Sequence, residues 1–402
     1  MLPVEGVLDG VRVLDVSESA SGAYCGRLLA CYGAEVIKVE PPGTGDPARR
    51  AGPFPEDRPD PEASAAFLYL NAGKKGITLN LEAAGGQAVL RELAAAADVL
   101  LEDAGPGVMD GRGLGWEDLA RVNPALIYVS LSPFGATGPY ATYRATQLTL
   151  YALGGYMYLT GDPDREPLQG PGSQPAYLAG AHALTGVMLA LLAREAGAGG
   201  QRVEVSELES VAAAHQWTIT RYNYSGTVQR RIGNRYDFGH PITIYPCADG
   251  YVGIGISTDE QAERFFVLIG RPELLADPRF GTNLARLLHA DEFDEIVLPW
   301  FRARGKEEIT RLCQELRVPC SPVTEVDELL ANEHLAARGF WQEVPHPAAG
   351  TLHYPGPPFR MSETPGRPGR APLLGEHNEE VYGVWLGYDR QRLTLLRRAG
   401  VI

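Results

Sequence analysis

Along the first half of the chain, short apolar runs alternate with longer stretches whose apolar residues recur at helical spacing. VRVLDV (11–16) predicts a buried strand, a helix follows over about 24–32, and EVIKVE (35–40) predicts a second strand. GITLNL (76–81) reads as a third strand, and residues 82–97 as a helix with Val89, Leu90, Leu93 and Ala97 near one face. DVLLED (98–103) and ALIYVSL (125–131) are further strands, separated by the short helix WEDLARV. Strands alternating with helices predict a largely parallel, doubly wound sheet with helices on both faces.

From Ala176 to Ala193 the chain is apolar almost all round, which predicts a buried helix, with His182 as a core histidine. After the short strand QRVEV, residues 205–224 read as one further helix. Its Glu207 and Glu209 are expected to hold the helix end. Its Trp217, Tyr222 and Tyr224 either line an apolar pocket or form core.

The pattern then changes. PITIYPCADGYVGIGIS (241–257) is two apolar runs around Ala-Asp-Gly, a hairpin signal. Shorter helices follow, so residues 225–330 predict a smaller α+β domain behind a large domain of 1–224. The Pro- and Gly-rich stretch 354–377 predicts an extended strap rather than a domain of its own.

Composition narrows the chemistry. The 402 residues can bury a large core, and a formal charge of −14 argues against nucleic acid, which needs a basic face. The chain starts without the charged-apolar-small pattern of a secretion signal, and the apolar run GVMLALLA is short of a bilayer span. A cytoplasmic location without a membrane partner is the expectation. The five cysteines (Cys25, Cys31, Cys247, Cys313, Cys320) form no CxxC pair and have no His at metal-ligand spacing, so reduced thiols and no metal site are expected. The glycines of GPGVMDGRGLG (105–115) follow a strand but do not make GxGxxG, and neither GxxxxGK[ST] nor GxSxG occurs.

LDGVRVLDV (8–16), YGAEVIKVEPPGTGDPAR (32–49), LNAGKKGITLNL (70–81), ADVLLEDAGPGVMDGRGLGWEDL (97–119) and NPALIYVSLSPFGATGPY (123–140) together resemble the family III CoA-transferases. YPCADGYV (245–252) and APLLGEHNEEV (371–381) continue the resemblance in family order to the end of the chain. The resemblance implies a Rossmann-like large domain made from the N-terminal half plus a C-terminal strap, residues 331–402, that returns to it, with a smaller α+β domain between and a dimer of two interlocked rings. It also implies coenzyme A or an acyl-CoA as substrate, with no covalently bound cofactor. In the family an aspartate attacks the acyl-CoA thioester, and transfer proceeds through enzyme-bound anhydride and thioester intermediates.

That aspartate stands four residues before a glycine, with a histidine two beyond it. Gly180 and His182 match, which puts Ala176 in the nucleophile's place. Other positions depart too. Asp103-Ala104-Gly105 replaces the Asn-Phe-Arg or Asn-Phe-Gly that meets CoA, Gly111 replaces a basic residue beside Arg112, and Asn71-Ala72-Gly73-Lys74 lacks an arginine. Gly22-Ala23 stands for Gly-Pro, and Thr146-Gln147 for an acidic position. The degenerate CoA region is therefore Lys74, Asp103, Ala104, Gly105 and Arg112, with Asp103 expected to repel a phosphate. Lys74 and Lys75 retain the charge to attract an anion or are simply solvated.

The resemblance then implies a subunit of a heteromeric CoA-transferase, moving CoA from a donor such as succinyl-CoA to an organic acid such as benzylsuccinate. A paralogous catalytic subunit would supply the aspartate and most of the CoA site. The alternatives are a homodimeric transferase or racemase using a displaced acid, with Asp162, Asp164 or Glu166 as fallback, and a ligand-binding paralogue without chemistry.

Overall fold

The computed structural model describes residues 6–402 and divides into two compact units. Of the described residues, the larger comprises 6–156, 170–219 and 333–402; the smaller comprises 157–169 and 220–332.

The larger unit begins β1 (Arg12–Asp15), α1 (Ala20–Cys31), β2 (Glu35–Glu40), α2 (Ala65–Leu70), β3 (Lys75–Thr78), α3 (Ala84–Ala95) and β4 (Val99–Glu102). It continues through α4 (Val108–Gly111), α5 (Trp116–Val122), β5 (Ile127–Ser132), α6 (Gln147–Leu153) and the start of α7 (Tyr156–Leu159). Then come α8 (Gln174–Glu195), β6 (Gln201–Ser206), α9 (Glu207–Ala213) and the start of α10 (Gln216–Ser225). The six strands form one parallel sheet in the order β3-β2-β1-β4-β5-β6, the doubly wound topology that the alternating pattern predicts. Two apolar layers flank the sheet. Leu14, Ile37, Leu100 and Tyr128 pack toward α3 and α5, whereas Val13, Val36, Leu101 and Val129 pack toward α1 and α8.

Alpha-helix 8 departs from its pattern. Ala176, Ala179, Gly180, Ala183, Val187 and Ala190 are buried, but His182, Thr185, Met188, Leu189 and Leu192 are exposed. His182 is therefore a surface residue, because it lies on the side turned away from α1 and the sheet. By length and composition α8 would suffice to cross a bilayer, which the run GVMLALLA alone does not reveal. Here its small residues pack on the sheet and on α1. The single helix expected over 205–224 is instead a strand end and two helices, broken at Ala214-His215, where His215 stacks on Tyr156 at 4.0 Å. Trp217, Tyr222 and Tyr224 are exposed rather than core.

The smaller unit carries β7 (Ile242–Cys247), β8 (Gly250–Gly255), α11 (Asp259–Leu268), α12 (Asn283–Leu288), α13 (Ala290–Arg302), α14 (Lys306–Glu315), β9 (Cys320–Pro322) and α15 (Val326–Leu330). Its three strands are antiparallel, with β7 and β8 joined at the Ala-Asp-Gly turn, around a core of Phe265, Phe266, Phe280, Phe293 and Phe301. Four of the cysteines are buried and Cys247 is half-buried, all as free thiols.

The chain re-enters the larger unit with α16 (Glu333–Ala337), a hairpin β10 (Trp341–His346) and β11 (Gly350–Pro355), the extended strap, α17 (Asn378–Leu386) and α18 (Arg390–Arg398). The strap covers the β3 edge. Gly73 N–H donates to Arg370 O at 3.0 Å, His377 N–H to Gly76 O at 2.9 Å and Thr78 N–H to Asn378 Oδ1 at 2.8 Å. An edge strand left open would present unpaired amides to other chains.

Candidate active site

In a doubly wound sheet, ligands enter at the carboxyl ends of the strands, where the strand order reverses. That point here lies between β1 and β4. A cavity of about 570 Å³ sits there, lined by Glu18 and Ser19 after β1, Glu40 and Pro41 at β2, Asn80 and Glu82 after β3, and Asp103 and Ala104 after β4. Arg112 closes one side, its guanidinium already paired with Glu82. Glu40 is held by Arg49 at 2.6 Å. Among the described lining residues, Arg112 is the one cation against four carboxylates.

Asp103 has a defined job. Its Oδ1 accepts from Glu18 N–H at 2.8 Å and its Oδ2 from Ser19 N–H at 2.6 Å, so it caps the entry to α1. Burial raises its pKa, partly offset by those donors. Ala104 N–H donates to Glu102 at 3.0 Å, and Gly105 turns the chain with φ +93°.

Lys74 is fully buried, donating to Asp15 Oδ2 at 2.6 Å, Ala23 O at 2.8 Å and Asn71 Oδ1 at 2.8 Å. An ammonium has three protons, and all three have acceptors within the protein. Burial by itself would raise the pKa of Asp15, but Lys74 and Lys38 hold it below its ordinary value. Lys75 pairs with Glu35 at 2.8 Å and Glu380 at 2.7 Å.

A second cavity, about 350 Å³, shares Glu18, Ser19 and Pro47 with the first and reaches Tyr69, Ser173 and Tyr177. It ends at the first turn of α8, where Ala176 lies. The close approach of α8 to α1 depends on Gly180: a Cβ there would stand 2.7 Å from Ser21 O and 3.1 Å from the Tyr24 ring. Gly180 is thus fixed by packing, and it fixes where residue 176 falls relative to α1.

Ala176 is buried, and its N–H donates to Gln147 Oε1 at 2.9 Å. Gln147 Nε2 in turn donates to Glu207 Oε2 at 3.0 Å, and Ser21 Oγ donates to Glu207 Oε1 at 2.7 Å. Ser21 meets Ser19 Oγ at 2.9 Å. A hydrogen-bonded chain therefore runs from the cavity wall at Ser19 to the first turn of α8, with the buried Glu207 at its centre. Gln147 and Glu207 are the first residues of α6 and α9, so the positive ends of two more helices favour that carboxylate.

Asp162, Asp164 and Glu166 lie exposed on the segment that belongs to the smaller unit. The carboxylate that sequence reasoning missed is Glu18, which borders both cavities. Burial, then Asp46, raises its pKa. The signal was only its place directly after the first strand.

Fold and crevice together define a doubly wound α/β protein with a cavity at its switch point. Comparison then identifies the family: residues 8–378 match CoA-transferase family III, and the chain belongs to it. Succinyl-CoA–D-citramalate CoA-transferase of Chloroflexus aurantiacus is 36% identical over 397 residues, covering 98% of each chain. The succinyl-CoA:(R)-benzylsuccinate CoA-transferase subunit BbsE of Thauera aromatica is 34% identical over 97% of each. The crystal structure of a CAIB/BAIF family protein from Brucella suis, 29% identical, superposes with a TM-score of 0.86 over 95% of this chain and 100% of that one.

Proposed function

We propose that this chain is the subunit without a nucleophile in a heteromeric family III CoA-transferase. The complex moves CoA from an acyl-CoA donor, succinyl-CoA in the first instance, to an organic acid such as benzylsuccinate. A paralogous partner supplies the attacking aspartate and most of the CoA contacts. The observation that carries this reading is Ala176: a buried methyl at the first turn of α8, its register held by Gly180, with its backbone amide tied to Gln147. A methyl group neither attacks a thioester nor leaves from an anhydride.

Three further observations support it. The crevice is lined by carboxylates, with its arginine engaged by Glu82, whereas a CoA phosphate calls for free cationic donors. Lys74 is consumed by Asp15, Ala23 and Asn71. A relative described as a subunit, BbsE, matches along nearly its whole length.

The test is gentle purification of the tagged chain from its own cells, with co-purifying chains identified by mass and peptide sequencing. A stoichiometric relative carrying aspartate at the position that matches Ala176 is expected. A clean homodimer that transfers CoA contradicts the proposal. One observation favours a second reading, a homodimeric transferase with a displaced acid: Glu18, rather than Asp162, Asp164 or Glu166, borders both cavities and is the carboxylate to replace in that homodimer.

A further inference from the structure

A third cavity, about 420 Å³, adjoins the other side of the same helix turn. Tyr24, Tyr151, Tyr156 and Tyr177 form its walls, with Ala181 and Val211 among the aliphatic residues that complete it. Tyr24 and Tyr177 meet edge to face at 4.9 Å, and Tyr151 and Tyr156 lie 5.8 Å apart. Tyr177 also lines the second cavity. Gln174 and Pro175 line the pocket immediately before Ala176.

None of the described lining residues is charged. A carboxylate placed inside would lose its hydration without a compensating cation, so the charged end of a ligand must stay at the mouth. The part that enters is neutral and apolar. Ring faces and edges at these separations favour a further ring, which offers the same edge-to-face contacts. The volume lies within the roughly 300–1,000 Å³ of small-molecule sites, ample for a phenyl group or a branched alkyl group.

We infer that this tyrosine-lined pocket is the specificity pocket for the acceptor acid, and that it takes the aryl or bulky apolar substituent of a carboxylic acid whose carboxylate stays at the mouth, free to meet the nucleophile of the partner chain. This rests on the reading of the chain as part of a CoA-transferase that acts on carboxylic acids. It adds which part of the acid this chain reads, and with which residues.

The experiment is calorimetric titration of the purified protein, with its partner chain where one co-purifies, using benzylsuccinate and succinate as probes. The two share a dicarboxylate and differ by the benzyl group. At least a tenfold preference for benzylsuccinate is expected. Ala181→Phe, which fills the pocket, is expected to abolish the preference while leaving succinate binding unchanged. Tyr151→Ala, which removes a wall, is the second variant should the first fail to fold, and is expected to reduce the preference several-fold. Equal binding of both probes by the unaltered protein overturns the inference, as does a preference that survives the variant. A change in oligomeric state with the preference intact would assign the pocket to a subunit contact and overturn it too. The readout is binding alone. A catalytic role for this chain would sink the proposed function without touching this result, and equal binding would sink this inference without touching that function.

Discussion

Asp15 and Lys74 show what a residue's type leaves open until its neighbours are known. A lysine next to a glycine turn reads from sequence either as an anion-binding residue or as a solvated one. In the fold its three protons go to Asp15, Ala23 and Asn71 behind the sheet. The two roles predict different outcomes for Lys74→Met. A ligand-binding lysine would cost affinity and little stability. A buried pair that loses one partner leaves an uncompensated carboxylate and costs about 3–5 kcal/mol. Urea unfolding of the variant is expected to give a loss of that size, and an unchanged midpoint would return Lys74 to the ligand site. The same lesson holds at Ala176. The motif spacing locates the missing carboxylate, but the Ser21–Glu207–Gln147 chain that meets its backbone joins three distant segments and is invisible to local pattern.

At the scale of elements, the parallel strands were legible because continuous apolar runs bounded by turns have few other readings. Helix α8 was legible in extent and mistaken in burial, since an all-round apolar sequence does not say which face finds a partner. Its contact with α1 is fixed by Gly180. An exposed glycine-to-alanine change in a helix gains about 1 kcal/mol. Gly180→Ala is expected to destabilise instead, because the new methyl would stand 2.7 Å from a backbone oxygen that cannot swing aside. A stability gain measured by thermal unfolding would show that α8 is free to move away from α1.

The strap is a second element with a checkable property. Arg370 grips Glu376 as a fork, and Leu373 N–H adds a bond at 3.0 Å. The arginine, helped by that amide, holds the Glu376 carboxyl down from the usual 4.5 to about 2. A depressed folded pKa stabilises fully above the unfolded value. That contribution is lost as pH falls from about 4.5 toward about 2. Protection of the His377 amide, its exchange rate referred to the intrinsic rate at each pH, is expected to fall across that window, and Glu376→Gln is expected to remove the dependence. An unchanged pH profile in the variant would detach the strap from this pair.

Over the whole molecule, two units are built from discontinuous stretches of chain, with the C-terminal segment sealing the β3 edge. The Pro- and Gly-rich strap is legible in sequence as extended chain, its return to the larger unit only through the family resemblance, and the β10–β11 hairpin ahead of it carries no strong signal. Leu189 and Leu192, each 62% exposed, and Met188 leave an apolar stripe on α8 that a lone chain keeps in water. Assembly is therefore expected, and Leu189→Asp with Leu192→Asp should shift sedimentation toward a single chain. A monomeric parent protein would contradict that expectation.

The central claim is that chemistry does not occur on this chain. The most direct measurement is the intact mass of each chain in the purified protein after brief exposure to the acyl-CoA donor and an acid quench, which leaves an enzyme–CoA thioester intact. The account predicts an unmodified mass for this chain and a covalent adduct on its partner. An adduct on this chain, mapped to Glu18 or any other carboxylate, would contradict it.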